Sequence, residues 1–194
     1  MNRRGALVVL AALGVGGALL LAQPRPVTPA PDSPEVRFVQ DMRVHHDQAV
    51  TMSVLVLKVA RDRSVRSLAL DIQLGQEEQN RQMAAWLRRW NAPDGAPPGA
   101  MQAGMMGLAT PAELLSLKTL PVREAETQFL RLMLRHHQGA LLMARPLTGS
   151  PQPLVAGLAR QVTAAQGGEI RTLGSLLRAR GVTPLPAPAG MSHH

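Results

Sequence analysis

The stretch Phe38-Val-Gln-Asp-Met42-Arg-Val-His45-His46-Asp-Gln-Ala49-Val-Thr-Met52 decides how this chain is read, because it returns 91 residues later. There it is written Phe129-Leu-Arg-Leu-Met133-Leu-Arg-His136-His137-Gln-Gly-Ala140-Leu-Leu-Met143. Six positions are identical (Phe, Met, His, His, Ala, Met), where chance would match about one, so the pair reads as an internal duplication. A second match, offset by 90, sets Leu68, Ala69, Ile72, Gln76, Arg81, Leu87 and Arg88 over Leu158, Ala159, Val162, Gln166, Arg171, Leu177 and Arg178. Each unit therefore contains two helices.

Phe38, Met42, His45, Ala49 and Met52 recur at steps of three and four, as do Leu68, Ile72, Gly75, Gln79 and Met83, which gives each helix one inward stripe. Helices are predicted over residues 35–61, 64–90, 122–144 and 153–180. Ser64 is the expected cap of the second, Pro146 with Gly149 closes the third, and Gly181 ends the fourth. One hairpin cannot bury both of its stripes, whereas two related hairpins can enclose a core between them. The expected fold is all-α: a ferritin-like four-helix bundle made of two duplicated helical hairpins. The first hairpin takes residues 35–90 and the second 121–182. Between them, 91–120 is a Met/Gly/Pro-rich linker long enough to cross the bundle from end to end, with Thr110-Pro-Ala-Glu113 as the capped start of a short helix. Residues 183–194 read as a disordered tail.

Composition narrows the function classes. Aromatics are 2% of the chain and Tyr is absent, while Leu, Ala and Met carry the apolar content, which is helix-forming usage. With no Cys, disulfides, thiolate metal sites and a cysteine nucleophile are excluded, and any soft-metal ligand must be Met or His. The formal charge of +8 comes from scattered side chains, nearly all Arg, densest at Arg61, Arg63 and Arg66. Without stacking aromatics or a recognition motif it reads as a solvated helix face, and no nucleic-acid partner is expected.

Arg3 and Arg4 precede an apolar run over residues 5–22, followed by Gln23-Pro-Arg-Pro26. Residues 1–22 read as a signal peptide or, uncleaved, as an N-terminal anchor, and 23–34 as a Pro-rich tether. Either way the remainder is expected in the periplasm or cell envelope, touching the membrane only through its N-terminus.

The chemistry is expected in the repeated helix. Adjacent histidines on a helix point about 100° apart, so His45 and His46 flank a seam rather than share its centre. Met42 lies three and four residues before them, and Met52 lies two turns beyond His45; Met133, His136, His137 and Met143 repeat the arrangement. Thioether and imidazole donors suit Cu(I) and, through the imidazoles, Cu(II), with zinc as the alternative. Against this stands the plain reading of core methionines and hydrogen-bonded histidines. Neither half carries the Glu-x-x-His motif of a diiron oxidase, and no serine triad, P-loop or dinucleotide motif appears, so a binding protein is expected ahead of an enzyme, with a metal-dependent oxidase or peroxidase as the last alternative. Gly99-Ala-Met101-Gln-Ala-Gly-Met105-Met106-Gly107 is either a copper-capturing arm or a sticky cover for the bundle, and Met191-Ser-His193-His194 is either extra ligand or cloning residue.

Together these residues resemble the bacterial family known as domain of unknown function 305. The resemblance rests on Glu126, Phe129, Met133, His136, His137, Ala140, Met143 and Ala144, then Ala159, Val162, Gln166, Glu169 and Ile170. In the first half it rests on Phe38, Met42, His45, His46, Ala49, Met52, Ala69, Ile72, Gln76 and Met83. The linker fits too, with Gly104-Met-Met-Gly-Leu-Ala-Thr110-Pro-Ala-Glu-Leu114. The resemblance implies a ferritin-like bundle, export and, in some members, copper binding linked to copper tolerance. The expected ligands are His45, His46, His136 and His137, with Met42, Met52, Met133 and Met143 as auxiliary donors and Glu169 as ligand or orienting acceptor. Gln79 and Leu173 depart from the family pattern, which uses Glu and Met there. A metal ion, other envelope copper-handling proteins and a second copy of the chain are the expected partners.

Overall fold

A computed structural model of the protein describes residues 28–189, all of them in helices, turns or irregular segments. The predicted signal or anchor, the start of the tether, and His193 and His194 lie outside the described residues. Among the described residues six α-helices follow one another: α1 (Pro34–Leu57), α2 (Arg63–Trp90), α3 (Ala100–Met105), α4 (Pro111–Thr119), α5 (Val122–Ala144) and α6 (Pro153–Ala179). A 3-10 turn, Arg145–Leu147, extends α5.

Local sequence sets the ends of these helices. Ser33 caps α1 through the Val36 amide with Pro34 in the first turn, and Thr110 with Glu113 forms a reciprocal capping box on α4. The first helix stops at Leu57, four residues short of the expected end, and α2 is capped by Asp62 rather than Ser64. The Asp62 carboxylate accepts from the amides of Ser64 and Val65, a stronger acceptor than a hydroxyl for two orphan amides at a positive helix end. Asn91 (φ 52°) closes α2 and Gly181 (φ 68°) follows α6, both left-handed.

α1 packs on α2, α5 packs on α6, and the two pairs meet along α1 and α5. The apolar residues form two clusters. One gathers Met52 and Val56 from the end of α1, Val65 to Ile72 from the start of α2, Phe129 to Leu134 from the first half of α5, and Leu173 and Leu177 from the end of α6. The other gathers Val36 to Met42, then Met83, Leu87 and Trp90, then Ala140 and Ala144, and finally Val155 to Val162. Since the end of α1 shares a cluster with the start of α5, those two helices run antiparallel. By the same reasoning α2 runs antiparallel to α6. Seven buried residues of α2 (Val65, Leu68, Ala69, Ile72, Gln76, Met83, Leu87) return in α6 as Val155, Leu158, Ala159, Val162, Gln166, Leu173 and Leu177, each at a spacing of 90. Each fully buried Leu, Met or Phe contributes about 1.5–3 kcal/mol relative to exposure, so these clusters carry the fold.

Because α2 ends beside one cluster and α5 begins beside the other, the linker must travel the length of the molecule. It does so over the groove between α1 and α5. Gln40 donates to the Pro93 carbonyl at 2.9 Å, Arg43 pairs with Asp94, and Leu117 of α4 is buried in the first cluster. The far end of the chain is also held. Val182 and Leu185 pack against the first cluster, Arg131 Nε donates to the Thr183 carbonyl at 3.0 Å, and Pro188 is buried. The expected disorder therefore does not apply to residues 183–189: apolar side chains spaced between prolines give this segment something to bury.

Candidate metal centre

Between the two apolar clusters lies a polar layer. His45 and His46 of α1 and His136 and His137 of α5 are all fully buried in it, joined by Gln76 of α2 and Gln166 of α6. Placement follows from the antiparallel crossing: α1 and α5 meet near their middles, where each carries its histidine pair.

The rings of His45 and His136 stack with centroids 3.6 Å apart and planes tilted by 33°. His136 Nε2 donates to the His45 carbonyl at 3.0 Å, and His45 Nε2 donates to the Met106 carbonyl at 3.0 Å. A carbonyl oxygen can only accept, which fixes the Nε2–H tautomer for both rings and leaves each Nδ1 with a lone pair. The outer rings turn to the flanking helices. His46 Nε2 lies 2.7 Å from Gln79 Oε1, and His137 Nε2 lies 2.7 Å from Glu169 Oε2, although the latter contact is poorly aligned for a hydrogen bond. Glu169 and Gln79 thus do the same task in the two halves, one as carboxylate and one as amide.

Burial, reinforced by the neighbouring His46, pushes the His45 pKa down to about 3 despite its bond to the Met106 carbonyl. Burial likewise lowers His46 to about 4, opposed by Gln79, and holds His136 well below the usual histidine range with help from His45. Neutral rings are the form a metal ion needs. The Nδ1 atoms of all four histidines, and both amide atoms of Gln76 and of Gln166, have no protein hydrogen-bond partner although buried. So many orphaned polar atoms in one layer suit a ligand with several coordination positions. The donors do not, however, converge: among the described residues no three His, Cys, Asp or Glu side chains gather as a ready ligand set. An ion would need imidazoles to rotate.

The thioethers divide. Met42, Met52 and Met133 are fully buried in the apolar clusters on either side of the layer, whereas Met143 is partly buried beside the linker. The linker supplies contacts that the sequence reading missed. Gln48 Nε2 donates to the Ala109 carbonyl at 2.9 Å while its Oε1 accepts from the Ala109 amide at 2.6 Å. Arg135 binds Glu113 through two nitrogens, at 3.0 and 2.8 Å, and reaches the Leu108 carbonyl at 3.1 Å. Gly139 lets the Met106 carbonyl approach, since a Cβ there would lie 1.8 Å from that oxygen. Gln48 and Gly139 are 91 apart, equivalent places in the two halves, and that mismatch was the available signal. Of residues 99–107, Met106 lies over His45 through its carbonyl, so this stretch covers the bundle there.

A family model described as domain of unknown function (DUF305) matches residues 35–177. No curated protein matches the chain significantly. Among solved structures, a DUF305 fragment from Deinococcus radiodurans is 51% identical, with a TM-score of 0.74 over 78% of this chain and 99% of its own. A DUF305 protein from Streptomyces coelicolor, provisionally described as secreted, is 39% identical, with a TM-score of 0.72 over 85% of this chain and 100% of its own. CopM in its Cu(II)-bound form is 27% identical, with a TM-score of 0.64 over 75% of this chain and 97% of its own.

Proposed function

Because the chain belongs to the DUF305 family, whose relatives above include a copper-bound protein, we propose that it is an exported copper-binding protein that sequesters or passes on the metal. The observation that carries this reading is the layer of four buried histidines whose Nδ1 atoms are all without a protein hydrogen-bond partner. His45, His46, His136 and His137 would supply nitrogen, Glu169 would orient His137 or bind directly, and Met42, Met52 and Met133 would offer sulfur from the walls. Met143 lies towards the surface and would serve a different position. Cu(I) and Cu(II) both suit this donor set, and zinc suits its nitrogens. The four long helices would form a ferritin-like bundle that arose by duplication of one hairpin, as the recurrence of buried residues in α2 and α6 supports. The protein would act by binding and not by catalysis, exchanging its ion with other envelope copper-handling proteins, as monomer or homo-oligomer. Export is supported by the Streptomyces relative; among the described residues no helix is long and apolar enough to cross a membrane.

A competition titration with Cu(II) tests the assignment. The wild-type protein should withdraw Cu(II) from a chelator, and replacement of all four histidines by Ala should lower affinity at least about 100-fold. If that variant does not fold, His46→Gln with His137→Gln keeps a polar side chain at both places and should still weaken binding. Unchanged affinity in a folded variant refutes the reading.

A second reading is favoured by the internal hydrogen bonds of His45 and His136. Here the layer is a structural device that fixes the register of α1 against α5 and binds nothing. It predicts that the histidine variants lower the melting temperature equally with and without copper.

A further inference from the structure

Outside the histidine layer, three of the chain's methionines meet at one depression on the surface. Met105 ends α3, Met106 is the residue that caps it, and Met143 lies one turn beyond Gly139 on α5; all three line the same pocket with Asp41 of α1 and Gln102 of α3. Met105 is 49% exposed, so the pocket is open to solvent, while Met106 is 4% exposed and forms its floor. Gln102 Nε2 reaches Asp41 Oδ2 at 3.5 Å, which keeps the carboxylate at the rim.

We propose that Met105, Met106 and Met143, with Asp41 beside them, form a surface binding site for a soft monovalent cation, Cu(I) in the cell and Ag(I) as its probe. Three elements converge to build it: the end of α3 and α5 bring the thioethers that such a cation prefers, and α1 brings one carboxylate. Thioether sulfur is uncharged and polarizable, so it selects Cu(I) or Ag(I) over Zn(II), Mg(II) and the other hard or borderline ions of the envelope. One carboxylate balances one positive charge. Packing the linker onto α1 and α5 would need only apolar bulk, for which Leu serves as well as Met, as the neighbouring Leu142 shows. Met side chains have three rotatable bonds, which lets three sulfurs close on an ion without backbone movement.

The placement also matters. The Met106 carbonyl accepts the proton of His45 Nε2 at 3.0 Å, so the pocket stands directly over the histidine layer. The inference rests on the copper reading for the identity of the metal, but its geometry is independent of the histidines.

The test uses the full chain with 13C-labelled methionine methyl groups, observed by NMR during titration with Ag(I). The methyl resonances of Met105, Met106 and Met143 should shift together at the first equivalent, while those of Met42, Met52 and Met133 stay in place. The double variant M105L/M143L keeps apolar bulk and should lose at least about tenfold in Ag(I) affinity. Its Cu(II) binding by the histidines should match the wild type. The proposal is overturned if the first equivalent moves Met101 or Met191 but not Met143, if the buried methionines respond first, if no methyl group responds, or if M105L/M143L binds Ag(I) as the wild type does. Loss of Cu(II) binding in the four-histidine variant bears only on the central layer, so the two sites can fail separately.

Discussion

A neutral imidazole has one nitrogen that donates and one that keeps its lone pair, and the neighbours of His45 and His136 dictate which is which. Their Nε2–H groups face carbonyl oxygens, so a proton added at Nδ1 would place a charge in a layer with no carboxylate in contact with either ring. The sign of the pH dependence follows. In the folded metal-free protein burial holds the pKa values of His45, His46 and His136 below the ordinary histidine value of about 6.5, at about 3 and about 4 for the first two. Between those values the unfolded chain binds protons that the folded chain refuses, so stability is full above about pH 6.5 and falls as pH drops through that value. His45 and His46 each cost about 2 kcal/mol by pH 5, and His136 acts in the same direction. Urea denaturation of the metal-free protein should therefore show a clearly lower midpoint near pH 5 than near pH 7.5. Equal midpoints would mean that the rings are hydrated or already charged in the folded state.

The helices are legible because their stripes repeat at helical spacing, and the linker's length allows it to cross the bundle; the side chains it covers are not legible. Residues 122–144 form α5 as predicted, since the Phe129, Met133, His136, Ala140 stripe admits one register. The end of α1 was misjudged because Val59 and Ala60 continue an apolar pattern although Asp62 takes the cap, and local propensity cannot weigh one cap against another. The histidine and methionine positions could be named from spacing, but spacing cannot say that Met42, Met52 and Met133 point into apolar clusters, nor that Met106 covers His45. That last contact depends on Gly139, whose missing side chain is the condition for the linker's approach. Gly139→Ala should force the Met106 carbonyl away and lower stability by at least about 2 kcal/mol, with faster hydrogen exchange at the Gly107 and Leu108 amides. A thermal melt and exchange profile like those of the wild type would show that the cover does not depend on this contact.

For the molecule as a whole, two hairpins must be held in one register if α1 and α5 are to bring their histidines level. The apolar clusters do most of this, and a polar clasp at one end adds direction. Glu126 of α5, only 4% exposed, accepts from the backbone amides of Arg61 and Asp62 at 2.7 and 2.9 Å and faces Arg180, which in turn binds Asp62 at 2.6 Å. This ties the α1–α2 turn to the start of α5 and the end of α6. Glu126→Ala removes the acceptor and leaves two amides and a guanidinium under-satisfied, which should cost about 2–4 kcal/mol in denaturant unfolding. A change below about 0.5 kcal/mol would show that water replaces the carboxylate freely.

Such a scaffold anchors four buried imidazoles whose Nδ1 atoms have no protein hydrogen-bond partner, and the proposed copper binding turns on those atoms. Anomalous scattering at the copper edge, measured from crystals of the copper-loaded protein, addresses them directly. An anomalous peak is expected within about 2.1 Å of an imidazole nitrogen of at least two among His45, His46, His136 and His137, with those rings turned from their metal-free positions. Copper found solely at surface side chains, with the four rings still stacked and hydrogen-bonded as described, would contradict it.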